Sequence, residues 1–308
     1  MDGALADTLD GCARGELSPE VALLRLLIAL RDQHALRAAL HDLTRRVDLD
    51  GERRDAIARI AGVLDADPEG CARALRLLEQ ERAAAGATSP EQALEHCREL
   101  FDRLAEDSPE ASVALYSFGR PELLNAATDE VVELLERLGV LGPERQVLEI
   151  GCGIGRFAQA LASRVAAITG IDIAPAMIET ARERCAGLAN VMLLETFGRD
   201  LSPFRSASFD LVLAVDAMPY IWRAGTAVVA THFAEIARVL RRGGDCVILN
   251  LSYRADLARD RKDVRRLAEA AALRVLRNGT LDLRLWDGAT FLLRKPAGQR
   301  EERLCPPG

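Results

Sequence analysis

Residues Val147-Leu148-Glu149-Ile150-Gly151-Cys152-Gly153-Ile154-Gly155-Arg156-Phe157 decide the fold. An apolar run ends in alternating glycines, and a helix-like pattern over 157–162 follows at once. That order predicts a strand, a tight turn and a helix start. Glycine lacks a Cβ, so a turn built from it lets backbone come close to a ligand and take up φ > 0. The helix start behind it carries unpaired N–H groups. The stretch reads as the floor of a nucleotide-type cofactor site.

Downstream, apolar runs alternate with helical stretches. The runs predict strands at 147–150, 167–173, 191–194, 209–215, 246–251, 273–275 and 290–293, with helices at 157–163, 175–185, 227–241 and 260–271. Continuous apolar strands separated by helices indicate a mostly parallel sheet covered on both faces. Ligands of such sheets bind beyond the carboxyl ends of the strands, so the residues after each strand are the informative ones. Asp172 follows the second strand, 21 residues beyond Gly151, where a carboxylate can accept the hydroxyls of a ribose. Its bland alternative is a helix cap ahead of Pro175. The pattern after Gly153 departs from G-x-G-x-x-G, because position 156 is arginine where a dinucleotide loop has its third glycine.

Further marks point the same way. The segments 148–156, 170–177, 208–214 and 237–244 closely resemble, in order, the motifs of class I S-adenosylmethionine-dependent methyltransferases. The resemblance covers roughly 141–293 and implies a Rossmann-like α/β fold with a seven-stranded, mostly parallel sheet. It also implies that Glu149 and the Gly151, Cys152, Gly153 and Gly155 backbone face the methionine part of S-adenosylmethionine. Asp172 would take the ribose, Asp200 the adenine amino group and the backbone of Leu201 the ring edge. The family often has Gly-Asp-Ala where this chain reads Gly198-Arg199-Asp200, a shift of about one residue. Arg156, Ile173, Met177, Val215 and Asp216 complete the implied cofactor set, with S-adenosyl-L-homocysteine as the product.

Methyl transfer from a sulfonium is an in-line displacement in which positioning dominates, and an oxygen or nitrogen acceptor must also shed a proton. Asp216, Tyr220 and Tyr253 are the candidates near the strand ends. Against this, Asp216 can merely orient the methionine amino group, and the tyrosines can merely shape the pocket. Asp216-Ala217-Met218-Pro219-Tyr220 is one residue longer than the D-P-P-Y signature of amino-group methylation in nucleic-acid enzymes.

The first third is helical. Ser18-Pro19-Glu20, Asp67-Pro68-Glu69, Ser89-Pro90-Glu91 and Ser108-Pro109-Glu110 each place a capping side chain, then proline, then an acid, which predicts repeated helix starts. Four or five helices are expected to pack as an all-α bundle, giving a helical domain at 1–107 and a methyltransferase domain at 108–308. Thr128 is expected to cap a helix at 129–138 that stops at Gly139. Tyr116, in the bridging segment 111–126, is placed either over the cofactor or in the core. Segments 111–124 and 218–222 are expected to roof the pocket.

Net charge is −7 and the pI about 5.4, so no nucleic-acid footprint is expected. Seven scattered cysteines without C-x-x-C spacing imply reduced thiols, a cytoplasmic setting and no metal. No signal peptide and no membrane span are expected. The expectation is a methyltransferase with a small-molecule acceptor and a helical surface suited to a homo-oligomer. The alternatives are methylation of a protein side chain, or a non-catalytic S-adenosylmethionine-binding module.

Overall fold

Proline behind a capping residue starts long helices at Pro19, Pro68 and Pro90. The structure, a computed structural model, describes residues 3–45, 49–83 and 89–297. The N-terminal part runs α1 (Gly3–Ala13), α2 (Pro19–Leu30), α3 (Gln33–Thr44), α4 (Gly51–Ala66), α5 (Pro68–Ala83), α6 (Pro90–Asp107), α7 (Pro109–Val113) and α8 (Pro121–Arg137). The side chains of Ser18, Asp67 and Ser89 accept from the N–H groups of Val21, Gly70 and Gln92, so three of the four expected caps form. Ser108 makes no such bond. Thr128 also departs from expectation: it lies inside α8, where its hydroxyl donates to the Leu124 carbonyl. The helix begins about two turns earlier, at Pro121, because proline there already fixes the first φ.

The chain forms two compact units. The first comprises 1–85, 104–131 and 283–287. Leu9, Leu23, Leu27, Leu36, Ile60 and Cys71, one or more from each of α1–α5, share its apolar core with Phe118. Segment 283–287 joins this unit although it lies between the last two strands. Arg284 and Leu285 donate backbone N–H groups to the Glu130 carboxylate, and Arg25 pairs with Asp287 at 2.8 Å.

The second unit comprises 86–103, 132–282 and 288–308. Its order is β1 (Gly142–Ile150), α9 (Arg156–Leu161), β2 (Val165–Asp172), α10 (Pro175–Arg184), β3 (Val191–Glu195), β4 (Phe209–Val215), α11 (Met218–Arg223), α12 (Thr226–Val239), β5 (Leu240–Leu249), α13 (Leu257–Ala270), β6 (Arg274–Leu281) and β7 (Ala289–Arg294). The strands form one seven-stranded sheet in the order β3-β2-β1-β4-β5-β7-β6, parallel except that β7 runs antiparallel to both neighbours. Leu148, Val212, Ile248, Phe233, Ile236 and Phe291 are buried in one core cluster against the sheet.

Two boundaries differ from expectation for visible reasons. Residues 240 and 241 belong to β5 and not to the preceding helix, because Asp210 of the neighbouring strand pairs with Arg241 at 2.5 Å. β6 runs to Leu281, well past 275, since pairing with β7 carries it on. Among the described residues no helix is long and apolar enough to cross a membrane.

Candidate functional site

In this strand order β1 and β4 are neighbours, yet the connections leaving them run in opposite directions across the sheet. Such a switch point leaves a crevice at the carboxyl ends of the strands. The glycine loop leaves β1 there, and Asp216 leaves β4 beside it.

The loop is held from two sides. The N–H groups of Gly151 and Cys152 both donate to the Ile171 carbonyl of β2, at 2.8 and 2.9 Å. Gly151 (φ 69°) also lies against the β4 exit: a Cβ there would stand 2.5 Å from the Cβ of Ala217. A side chain at this position therefore forces loop and strand end apart. Gly153 (φ 51°) donates its N–H to Asp172 Oδ2 at 2.9 Å. The same carboxylate accepts the Ala174 N–H through Oδ1, at 3.1 Å. Burial pushes the Asp172 carboxyl up from its ordinary value, and the N–H groups of Ala174 and Gly153 pull it back.

Glu149 is fully buried at the end of β1, and burial pushes its carboxyl up to about 8 against the pull of the Arg156 cation. The Ala158 N–H also favours its charged form, so Glu149 faces the start of α9. Its Oε2 is buried with no hydrogen-bond partner. Arg156, also buried, stacks on Phe157 with 4.3 Å from its guanidinium carbon to the ring centroid. Cys152 is buried, its thiol pushed well up by burial, with the Asp172 and Glu149 carboxylates raising it further.

Across the switch point, Asp216 takes up φ 54° and Asn250, after β5, φ 65°. Left-handed backbone is uncommon for residues with a Cβ, and such positions gather at functional sites. Asp216 Oδ1 accepts from Asn250 Nδ2 and from the Tyr253 hydroxyl, both at 2.9 Å. The ring of Tyr253 meets that of Tyr220 edge to face at 5.8 Å, and Tyr220 meets Phe101 in the same way at 4.8 Å. The three residues expected to serve chemistry are thus brought together. Asn250 and Phe101 join them unannounced. Asn250 fell inside the strand expected at 246–251, and only the earlier strand end at Leu249 makes it a residue that follows a strand, whereas Phe101 carries no local signal.

The remaining expected residues divide. Ile173 borders a cleft at the ends of β2 and β3, Met177 is buried in α10, and Val215 is the buried last residue of β4. Leu201 is fully buried. Asp200 turns its carboxylate to the Ser202 N–H at 2.9 Å, and that bond, with His232 and Arg238 nearby, holds it below the usual carboxylate range. Its neighbour Arg199, not Asp200, borders the cleft beside Ile173. Tyr116 is buried in a short 3-10 turn, Leu115–Ser117, and belongs to the helical unit, as does segment 111–124. His232 bonds the Val228 carbonyl of its own helix at 2.9 Å.

Residues 147–244 match the family described as a methyltransferase domain. This segment is thus similar to methyltransferase domains, and the seven-stranded sheet around it has the fold of class I methyltransferases. A demethylmenaquinone methyltransferase of Tropheryma whipplei is 32% identical over 156 residues, which is 51% of this chain and 59% of that protein. The chain therefore spans less than two thirds of the curated relatives it matches. Two solved structures share the fold of the methyltransferase domain. Phosphoethanolamine N-methyltransferase 1 of Haemonchus contortus, in complex with phosphoethanolamine and S-adenosylhomocysteine, has a TM-score of 0.50 at 18% identity, covering 70% of this chain and 51% of that one. Magnesium protoporphyrin IX methyltransferase of Synechocystis PCC 6803, with bound SAM, has a TM-score of 0.50 at 16% identity, covering 66% and 97%. S-adenosylmethionine is the expected cofactor of the domain.

The site fits that group. The Asp172 carboxylate is oriented by the backbone N–H groups of Gly153, Ala174 and Ile173 and is only partly buried by the residues around it, so it can still accept from a ribose hydroxyl. A Cβ on Gly151 or Gly155 would meet Ala217 or Ala181, so these glycines let the loop pack closely on its neighbours, and Gly153, at φ 51°, adds no side chain beside Asp172.

Proposed function

We propose that the protein transfers the methyl group of S-adenosylmethionine to a small-molecule acceptor. The observation that supports this most is the carboxylate of Asp172, held at the end of β2 by the N–H groups of Gly153 and Ala174. It ties the glycine loop to the carboxylate that this reading assigns to the ribose.

The bound cofactor supplies an activated methyl carbon on a sulfonium, which leaves to an acceptor with S-adenosylhomocysteine as the product. The backbone of 151–155 receives the amino-acid end, and Glu149, facing the start of α9, braces that loop from within. Asp172 orients the ribose and thereby the direction of the methyl group. An in-line attack needs the acceptor within about 3–3.5 Å of the methyl carbon, so orientation is the main contribution the chain makes. The acceptor side is formed by Asp216, Tyr220 and Tyr253. Asp216 takes the proton the acceptor sheds, and the Tyr253 hydroxyl and Asn250 amide, both donating to Oδ1, fix which oxygen faces inward. Met177 and Val215 shape the wall, while Asp200 and Leu201 belong to the nucleobase end.

A small-molecule acceptor accords with the overall acidic charge, which gives no attraction for nucleic acid. The helices of the N-terminal part remain the surface for self-association.

Calorimetric titration with S-adenosylhomocysteine tests the binding half of this reading, and no binding would remove it. Transfer of label from the methyl donor into a lysate fractionated by size tests the acceptor. Label in the small-molecule fraction is the expected result. Label in protein would overturn the acceptor class, and none in either would leave a cofactor-binding module.

A further inference from the structure

Helix α6 lies before the matched family segment, yet its residues 90–103 belong to the sheet unit. Glu91, Leu94, Glu95, Arg98, Phe101 and Asp102 recur at i, i+3, i+4, i+7, i+10 and i+11, the spacing of one helix face. That face meets the carboxyl edge of the sheet at successive points. Leu94 and Arg98 border the cleft shared with Ile173, Thr196 and Phe197. A Cβ on Gly198 would stand 2.7 Å from Ile173 and 3.3 Å from Leu94, so these three residues close on one another. Asp102 Oδ1 accepts the Ala176 N–H at 2.9 Å, in the first turn of α10 directly after the Asp172 loop. Arg98 reaches back to Asp102 at 3.4 Å. Phe101 packs on Tyr220.

The strand order gives this line of contacts a meaning. If the methionine tail lies at the β1 loop and the ribose on Asp172 after β2, the base would lie on the side away from β1, towards the ends of β2 and β3. The cleft beside Ile173 lies there. It encloses about 250 Å³, below the roughly 300–1,000 Å³ of sites that hold a whole ligand, so it accepts one end of the cofactor and not all of it.

We propose that this face of α6 is a wall of the methyl-donor site, in which Leu94 bounds the nucleobase and Asp102 is a positioning residue. The inference rests on the methyltransferase reading above. Asp102 holds Ala176, and with it the turn between Asp172 and α10, so that the Asp172 carboxylate keeps its aim. Leu94 sets the depth available to the base, and Phe101 carries the same wall on to the acceptor side.

The test uses the full chain, with S-adenosylhomocysteine and 5′-methylthioadenosine as calorimetric probes. The second lacks the amino-acid end, so a loss seen with both lies at the nucleoside. Leu94→Trp fills the cleft and is expected to weaken both by tenfold or more, about 1.4 kcal/mol. Asp102→Ala is expected to weaken both by about tenfold. Asp102→Asn, whose amide oxygen still accepts from Ala176, is expected to stay within about threefold of the parent. Circular dichroism and a thermal melt check folding, and if Leu94→Trp does not fold, the Asp102 pair decides. Parent-like binding of both ligands by folded Leu94→Trp and by Asp102→Ala would overturn the wall. An equal loss in Asp102→Asn and Asp102→Ala would overturn the positioning role. A parent protein that binds neither ligand would instead overturn the methyltransferase reading, and this inference with it.

Discussion

The hydroxyl of Tyr253 donates to Asp216 Oδ1 at 2.9 Å, although the two residues leave different strands, β5 and β4. Asn250 donates to the same oxygen, so one oxygen of the carboxylate is fixed by two donors and the other is turned by them. If Asp216 receives the acceptor proton, Asp216→Asn removes the base and keeps the shape. The turnover rate is expected to fall by about 10²-fold or more, the usual scale of general-base loss. Tyr253→Phe leaves the base and frees its orientation, so a smaller fall is expected. S-adenosylhomocysteine affinity should change little in Tyr253→Phe. Single-turnover methyl transfer beside calorimetry separates the two effects, and unchanged turnover in Asp216→Asn would exclude it as the base.

Asp172→Ala is expected to weaken S-adenosylhomocysteine by at least about tenfold. The variant loses the ribose acceptor and also the anchor of the Gly153 and Ala174 N–H groups. Unchanged affinity would show that the ribose lies elsewhere.

Gly151→Ala tests the close approach of loop and strand end. The added methyl would meet Ala217 Cβ at 2.5 Å, and φ 69° is unfavourable for alanine. Overpacking of this kind costs about 1–3 kcal/mol, read as a lower denaturant midpoint with an unchanged slope. Gly153→Val, at φ 51°, is expected to abolish cofactor binding, because a β-branched side chain neither adopts that backbone nor leaves the loop open. Parent-like affinity would show that the ligand does not pass over Gly153.

Glu149 gives a pH signature. Its carboxyl is raised from 4.5 to about 8 in the folded protein, chiefly by burial. The folded state then binds this proton more tightly than the unfolded one, so its contribution is fully present below the unfolded value and is lost as pH rises through the folded value. Thermal stability should therefore fall between about pH 5 and pH 8, and Glu149→Gln should flatten that part of the profile. Parallel profiles for the two proteins would mean that Glu149 ionises normally.

Much of this was legible because it is local. The glycine run after an apolar strand, the aspartate at the end of the next strand and the Pro-started helices are each written within a few residues, where backbone preference and capping act. Thr128 misled for the same reason: a good capping residue looks alike at a helix start and about two turns inside it, and Pro121, seven residues earlier, decided between them. Asp200 was placed by resemblance; its carboxylate accepts the Ser202 N–H, and the place of Arg199 beside the cleft has no local signal in the sequence.

The sequence by itself determined the fold class and the order of its elements, because hydrophobic period and turn chemistry depend on neighbours along the chain, whereas the expected cofactor came from the resemblance of its motifs to a known family. Only the tertiary structure decided what stands around the site. Asn250 and Tyr253 converge on Asp216 because β4 and β5 are adjacent in the sheet. Asp102 reaches Ala176 across 74 positions of chain because one face of α6 lies along the strand ends. Such contacts leave no periodic trace, since nothing in the spacing of residues 90–103 says which part of the chain their face will cover.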